Sequence, residues 1–193
     1  MLHKYVRYAI TQLYWRARMQ RLGSRSLIFK PILIGNPRFI SIGNRTTIRD
    51  LARLEALDPV ADGKKPNLSI GNGVNIEQGA HIICQNSVTI EDDVSITPYC
   101  VIADAIHPFH DPDQLPKIGA RLDRDAIHPV RIGRGTFVGA HSVILPGVTI
   151  GAGCVIGAGS VVSRDVPDFC IAAGVPARVI RVFDFDSRTW KTR

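Results

Sequence analysis

Aliphatic residues recur along this chain with a period that neither a helix nor an alternating strand produces. Ile42, Ile48 and Leu54 stand six residues apart, as do Ile70, Ile76 and Ile82, then Ile90, Ile96 and Ile102, then Ile132, Val138 and Ile144, and last Ile150, Ile156 and Val162. Four positions after most of these comes a small or β-branched residue, among them Thr46, Val74, Thr136 and Ser160, and glycine often follows directly, as at Gly43, Gly71, Gly133 and Gly151. An amphipathic helix repeats every 3.6 residues and a half-buried strand every two. A period of six predicts a solenoid with three short flat faces per turn, aliphatic side chains stacked inward and small residues at the corners. Fifteen hexads in phase predict about five coils, a prism roughly 24 Å long at the usual strand spacing.

The period breaks in three places. Leu54 to Ile70 spans sixteen residues, Ile82 to Ile90 spans eight, and Ile102 to Ile132 spans thirty. The last break inserts a polar, Pro- and Asp-rich loop that starts at His107-Pro108, and long loops inside compact domains are usually functional. Upstream, Leu2, Val6, Ala9, Ile10, Leu13 and Ala17 follow helical spacing, Tyr5, Tyr8, Tyr14 and Trp15 add amphipathic rings, and Gly23 is a natural stop. Downstream, Pro167 ends the last hexad, and the segment to Arg181 is expected to return along the prism before a short polar tail. The predicted organisation is a basic amphipathic helix over 1–23, an all-β solenoid over 24–166 carrying a loop insertion over 108–131, and a C-terminal return segment and tail over 167–193.

A hydrophobic fraction of 45% and a charged fraction of 21% suit a soluble globular chain. No stretch has the apolar length of a membrane span, and the N-terminus does not read as a secretory signal. Cys84, Cys100, Cys154 and Cys170 are far apart with no CxxC pair, which favours reduced, packed thiols and a cytoplasmic setting, at the inner face of the membrane if the N-terminal segment binds there. The formal charge of +7 is unevenly placed: residues 1–22 hold five basic side chains and no acid. No nucleic-acid-binding motif accompanies this excess, so nucleic acid is not an expected partner. A basic helix with aromatic rings points to an anionic membrane surface, and a helix that caps the open end of the prism is the alternative.

The loop opens with HPFH (107–110), and PVRIG (129–133), ILPGVTIG (144–151), IGAGSVV (156–162) and AAGVPARVIR (172–181) follow in order. This ordered set resembles the hexapeptide-repeat acyltransferases, in particular their galactoside, maltose and nodulation O-acetyltransferase branch. The short basic leader is more similar to O-acetyltransferases of polysaccharide gene clusters. The resemblance implies a left-handed parallel β-helix, a homotrimer, and acetyl transfer from acetyl-CoA to a sugar hydroxyl in lipopolysaccharide or surface polysaccharide biosynthesis.

By the same resemblance His107 is the general base, since an imidazole titrating near neutrality suits removal of the hydroxyl proton. His110 and Glu77 are candidate acceptor contacts. Gly139 and Ala140 match the place where relatives bring backbone N–H groups to the thioester, a means of holding the oxyanion. Ala158 matches the wall along the pantetheine arm, and Arg164, Arg178 and Arg181 match basic positions near the nucleotide phosphates. No metal is expected. An amine acceptor on an amino sugar or sugar nucleotide is the alternative within this class, and a zinc hydratase of the carbonic anhydrase type, built on His81, His107 and His110, is the remote one.

Overall fold

The computed structural model describes residues 2–59, 65–108, 122–123 and 127–193. Its strands form three parallel sheets that wrap one core. Hydrogen-bonded neighbours in each sheet are one coil apart in sequence, so Ile42, Ile70, Ile90, Ile132 and Ile150 stack on the first face. Ile48, Ile76, Ile96, Val138 and Ile156 stack on the second, and Leu54, Ile82, Ile102, Ile144 and Val162 on the third. These side chains are almost wholly removed from water. Aliphatic burial of this kind contributes about 1.5–3 kcal/mol per side chain, and the ladder repeats it at every rung.

The prism is longer than the fifteen hexads predict. Arg21–Leu22, Leu27–Ile28 and Leu33–Gly35 pair in parallel with the coil that begins at Ile40–Ile42, so the chain makes six full coils. The expected helix over 1–23 is correspondingly shorter. An α-helix covers Leu2–Ile10, a π-helical turn covers Thr11–Trp15, and Leu22 already packs in the core.

The C-terminal segment also differs from the expectation. It does not return along the prism. Val166 bridges Ile150, and Cys170–Gly174 pairs in parallel with Val155–Ile156, which begins a partial seventh coil. Ala177–Asp184 and Thr189–Thr192 then add two antiparallel strands, so the second sheet reaches nine strands and the predicted polar tail is its outermost one.

Corners are held by polar bonds between coils. On the edge joining the first and second faces, Ser26 Oγ donates to Gly43 O at 2.6 Å, and Thr46 Oγ1 donates to Gly71 O at 2.7 Å. Thr136 Oγ1 donates to Gly151 O at 2.8 Å in the same way. Asn44 Oδ1, Asn72 Oδ1 and Asp92 Oδ1 accept from the backbone N–H of Ser24, Asn44 and Asn72 respectively, one coil below. The Asn72 N–H and side-chain bonds hold the Asp92 carboxyl below the usual carboxylate range. The left-handed backbone that turns these corners falls on Arg45, Gly73, Asp93, Gly135 and Gly153.

Candidate active site on two edges

The hexad phase decides where each candidate residue lies. Openers on the second face place Glu77, Gly139, Ala140 and Ala158 on the second edge, where the second face turns into the third. His107 follows Val101–Ala103 and lies on the third edge, where the third face turns into the first face of the next coil. Arg164 follows Val161–Val162 and shares that third edge. Within one chain the predicted base and the predicted thioester site are therefore on different edges of the prism.

The second edge is smooth. Gly139 is buried, and a Cβ there would sit 2.5 Å from Ala158 N and 2.7 Å from Ile156 O, so only glycine lets the coils close. Its N–H donates to Ile156 O at 2.9 Å, which corrects one expectation: this N–H belongs to the coil ladder and is not available to an oxyanion. Ala140 differs. On the first edge the equivalent N–H of Asn44, Asn72 or Ala152 is capped by Asn72, Asp92 or Asp168 of the next coil. Opposite Ala140 stands Ala158, which has no acceptor side chain, and among the described residues nothing accepts from the Ala140 N–H. Tyr99 and His141 stack beside it, ring centroids 5.2 Å apart and 16° from parallel, and the Tyr99 ring lies over Gly79. The sequence reading passed over Tyr99; its place at the corner position of the Thr97-Pro98-Tyr99 hexad was the available signal.

Glu77 lies on this edge in the third coil. Asn75 Nδ2 donates to its Oε1 at 2.6 Å, and Arg49 Nε stands 3.7 Å from its Oε2, so its carboxylate is already engaged by protein groups. Arg178 faces Ala173 across the antiparallel pair, and Ala173 Cβ stands over Gly157, which puts Arg178 beyond Ala158 at the end of the same edge. Arg181 is farther along that strand, opposite Ile171. Both arginines are exposed, while Arg164 is separated from them on the third edge.

The third edge is interrupted. Asp104, fully buried, accepts the backbone N–H of Gln85, Asn86 and Ser87 at 2.5, 2.7 and 2.7 Å. These are the N–H groups that the two-residue stretch between Ile82 and Ile90 takes out of the ladder, and a buried donor left without an acceptor is costly. Asp104 thus fastens the backbone three residues before His107. Sequence reasoning missed it, although an acid two residues after an inward-facing opener was the signal. Asp123 N donates to Ile106 O at 2.7 Å and Gln85 Nε2 to Asp123 O at 2.6 Å, so the far part of the loop is tied to the same corner. His107 is exposed at the mouth of the loop. His110 and most of the insertion lie outside the described residues.

Beneath the edges the cysteines are buried and unpaired with one another. Burial, with Asp104 nearby, pushes the Cys84 thiol up to about 12, and burial also raises Cys100 and Cys154. Among the described residues no three His, Cys, Asp or Glu side chains gather to hold a metal ion.

Residues 129–164 match the family model for the bacterial transferase hexapeptide of six repeats. The galactoside O-acetyltransferase of Escherichia coli K12 is 41% identical over 123 residues, 64% of this chain and 58% of that enzyme, so the match spans little more than half of the relative. The putative lipopolysaccharide biosynthesis O-acetyl transferase WbbJ of the same organism is 30% identical over 164 residues, 83% of this chain and 81% of the relative. A variant of the N-acyltransferase AntD from Bacillus cereus, solved with dTDP-4-amino-4,6-dideoxyglucose and coenzyme A, superimposes with a TM-score of 0.65 at 25% identity, over 92% of this chain and 91% of that one. Six coils in register, the ordered hexads and this breadth of similarity make the chain a member of the hexapeptide-repeat transferase family, folded as its left-handed parallel β-helix.

Proposed function

We propose that this chain is an acetyl-CoA-dependent acetyltransferase that acylates a sugar hydroxyl in lipopolysaccharide or surface polysaccharide assembly. The observation that carries the reading is the division of the site: a smooth edge whose Ala140 N–H has no acceptor among the described residues, and a separate edge bearing His107 on a backbone clamped by Asp104. One chain holds each half, so a complete site takes the second edge of one subunit and the third edge of its neighbour. A closed homotrimer supplies three such pairings.

In this assembly the pantetheine arm lies along the second edge past Ala158, with its thioester carbonyl at Ala140 and its phosphates toward Arg178 and Arg181. The acceptor oxygen attacks the carbonyl carbon while His107 of the facing edge takes the hydroxyl proton. The tetrahedral oxyanion accepts the Ala140 N–H. Collapse breaks the carbon–sulfur bond, the thiolate takes the proton from His107, and the products are the acetyl ester and free coenzyme A. His110 and the loop form the acceptor side, with Glu77 holding the coil wall through Asn75 and Arg49. Arg164, on the third edge, faces the neighbour's groove.

Similarity to AntD favours one second reading, an amine nucleophile on an amino sugar nucleotide, since the same base serves either acceptor. Coenzyme A release measured against a panel of sugars, glycan acceptors and amino sugar nucleotides tests both readings. Turnover with hydroxyl acceptors supports O-acetylation, turnover confined to amino sugars transfers the assignment to the second reading, and no release with any acceptor overturns the enzyme.

A further inference from the structure

The N-terminal helix sits on the prism the wrong way round for a simple hydrophobic cap. Its polar groups face inward. Thr11 Oγ1 accepts from Ile28 N at 2.9 Å and donates to Arg7 O at 2.8 Å; Gln12 Nε2 donates to Gly23 O at 3.3 Å and Ser26 O at 3.2 Å; Arg7 Nη1 donates to Phe29 O at 3.2 Å. These bonds use backbone groups that the open end of the first coil presents, the liability of any unpaired edge. Trp15 packs against the core, but several apolar side chains of the segment are left in solvent. Val6 is 49% exposed, Ile10 38%, Leu13 76% and Tyr14 47%, and their spacing sets them along one stripe. An apolar helical stripe turned outward from a folded chain marks a surface with an occupant.

The charge around the stripe says which occupant. Residues 1–49 hold ten basic side chains and no acidic one, whereas the other 144 residues hold fourteen basic and seventeen acidic. All the positive excess belongs to the helix and the first two coils, and Arg16, Arg18, Arg21, Arg25 and Lys30 are exposed there. Arg18 lies over the Tyr14 ring, 3.6 Å from its centroid, so cation and aromatic sit together as they do at a headgroup layer. No described helix is long and apolar enough to cross a bilayer.

We infer that the N-terminal end of the prism docks on an anionic lipid bilayer, with the Val6–Ile10–Leu13 stripe inserted at the acyl boundary and the basic first coils against the headgroups. This goes beyond the proposed reaction and does not rest on it. A second copy of the chain covering the stripe is the competing occupant.

Co-sedimentation of the full chain with vesicles of phosphatidylcholine containing about a third phosphatidylglycerol, against pure phosphatidylcholine, tests it. Each basic residue near an anionic leaflet contributes roughly a fivefold factor, so Arg16→Gln, Arg21→Gln and Lys30→Gln together are expected to weaken binding about a hundredfold. Val6→Asp with Leu13→Asp, both at exposed positions, is expected to abolish binding at unchanged thermal stability and unchanged mass by light scattering. Absence of wild-type binding to the anionic vesicles at low salt overturns the inference. Equal binding by the Val6/Leu13 variant removes the inserted stripe and overturns it as stated. A smaller assembly for that variant, with no lipid binding by the parent, assigns the stripe to a contact between copies.

Discussion

The second and third edges of the prism are cut from one hexad and do opposite things. On the second edge every coil turns in the minimum number of residues, and Gly139 and Ala158 leave a wall flat enough for a long narrow ligand. On the third edge one described strand ends at Ala103 and the next begins at Val130, with Asp104 closing the corner beneath. In the proposed site the repeat supplies binding surface where it is unbroken and chemistry where it is interrupted. A titratable side chain at the mouth of a loop can approach a neighbour, whereas one in the wall cannot.

The sharpest way to break this division is His107→Ala. Loss of a general base is expected to lower kcat by about 10²–10⁴ with acetyl-CoA affinity little changed, measured by steady-state kinetics and by direct binding. Near-normal turnover would assign the base elsewhere. The proposed division between subunits is tested next by mixing. His107→Ala and a second-edge variant inactive for want of acetyl-CoA binding are expected to have no activity alone and to recover about a quarter of the wild-type rate when trimers are co-assembled at equal ratio, because a mixed ring contains one intact pairing in three. No recovery on verified mixing would place both halves in one chain.

Asp104→Ala probes the interruption itself. Three backbone N–H groups lose a charged acceptor in a buried corner, and a destabilisation of about 3 kcal/mol is expected, read as a drop in melting temperature at fixed protein concentration. An unchanged melting temperature would mean that the two-residue stretch at Gln85–Asn86 does not need fastening. Ala158→Leu tests the smooth edge: the added side chain stands where the proposed site lays the pantetheine arm, so KM for acetyl-CoA is expected to rise several-fold to tenfold with stability intact, since Ala158 is exposed.

The smallest effect is on pH dependence beside Asp104. The Cys84 thiol, pushed up to about 12, stays protonated in the folded chain while an unfolded thiol ionises near 9. Its contribution is therefore complete below pH 9 and is lost as pH rises from 9 toward 12. Cys84→Ala is expected to flatten the alkaline limb of the stability curve. A parallel limb in both proteins would assign the loss to other groups.

Much of this was legible from spacing. Ile, Leu and Val at every sixth position can only stack inward if three faces repeat, and the glycine after many openers marks the corners. The first coil was hidden because Leu22-Gly23 reads equally well as a helix end, and because Ile34 is followed after eight residues, not six, by Ile42. Spacing also fixes phase, so the separation of His107 from Gly139 was implicit in the openers Ile102 and Val138. What spacing could not supply was partner choice: that Asp104 accepts three N–H groups, that Gly139 N–H is consumed by Ile156 O, and that Thr11 and Gln12 turn the helix over all depend on which groups a corner leaves unsatisfied.

The antiparallel strands at the C-terminus have a meaning best put as a problem of polymer length. A parallel solenoid is a fibre whose every rung can template the next, and nothing in the hexad tells it to stop. Here the message to stop is written by reversal: Ala177–Asp184 runs back against Cys170–Gly174, and Thr189–Thr192 offers a strip bearing Lys191 where another coil would have had to begin. At the other end the helix performs the same service with Thr11 and Gln12. The reversed strands at one end and the helix at the other thereby stand where the parallel ladder would otherwise go on.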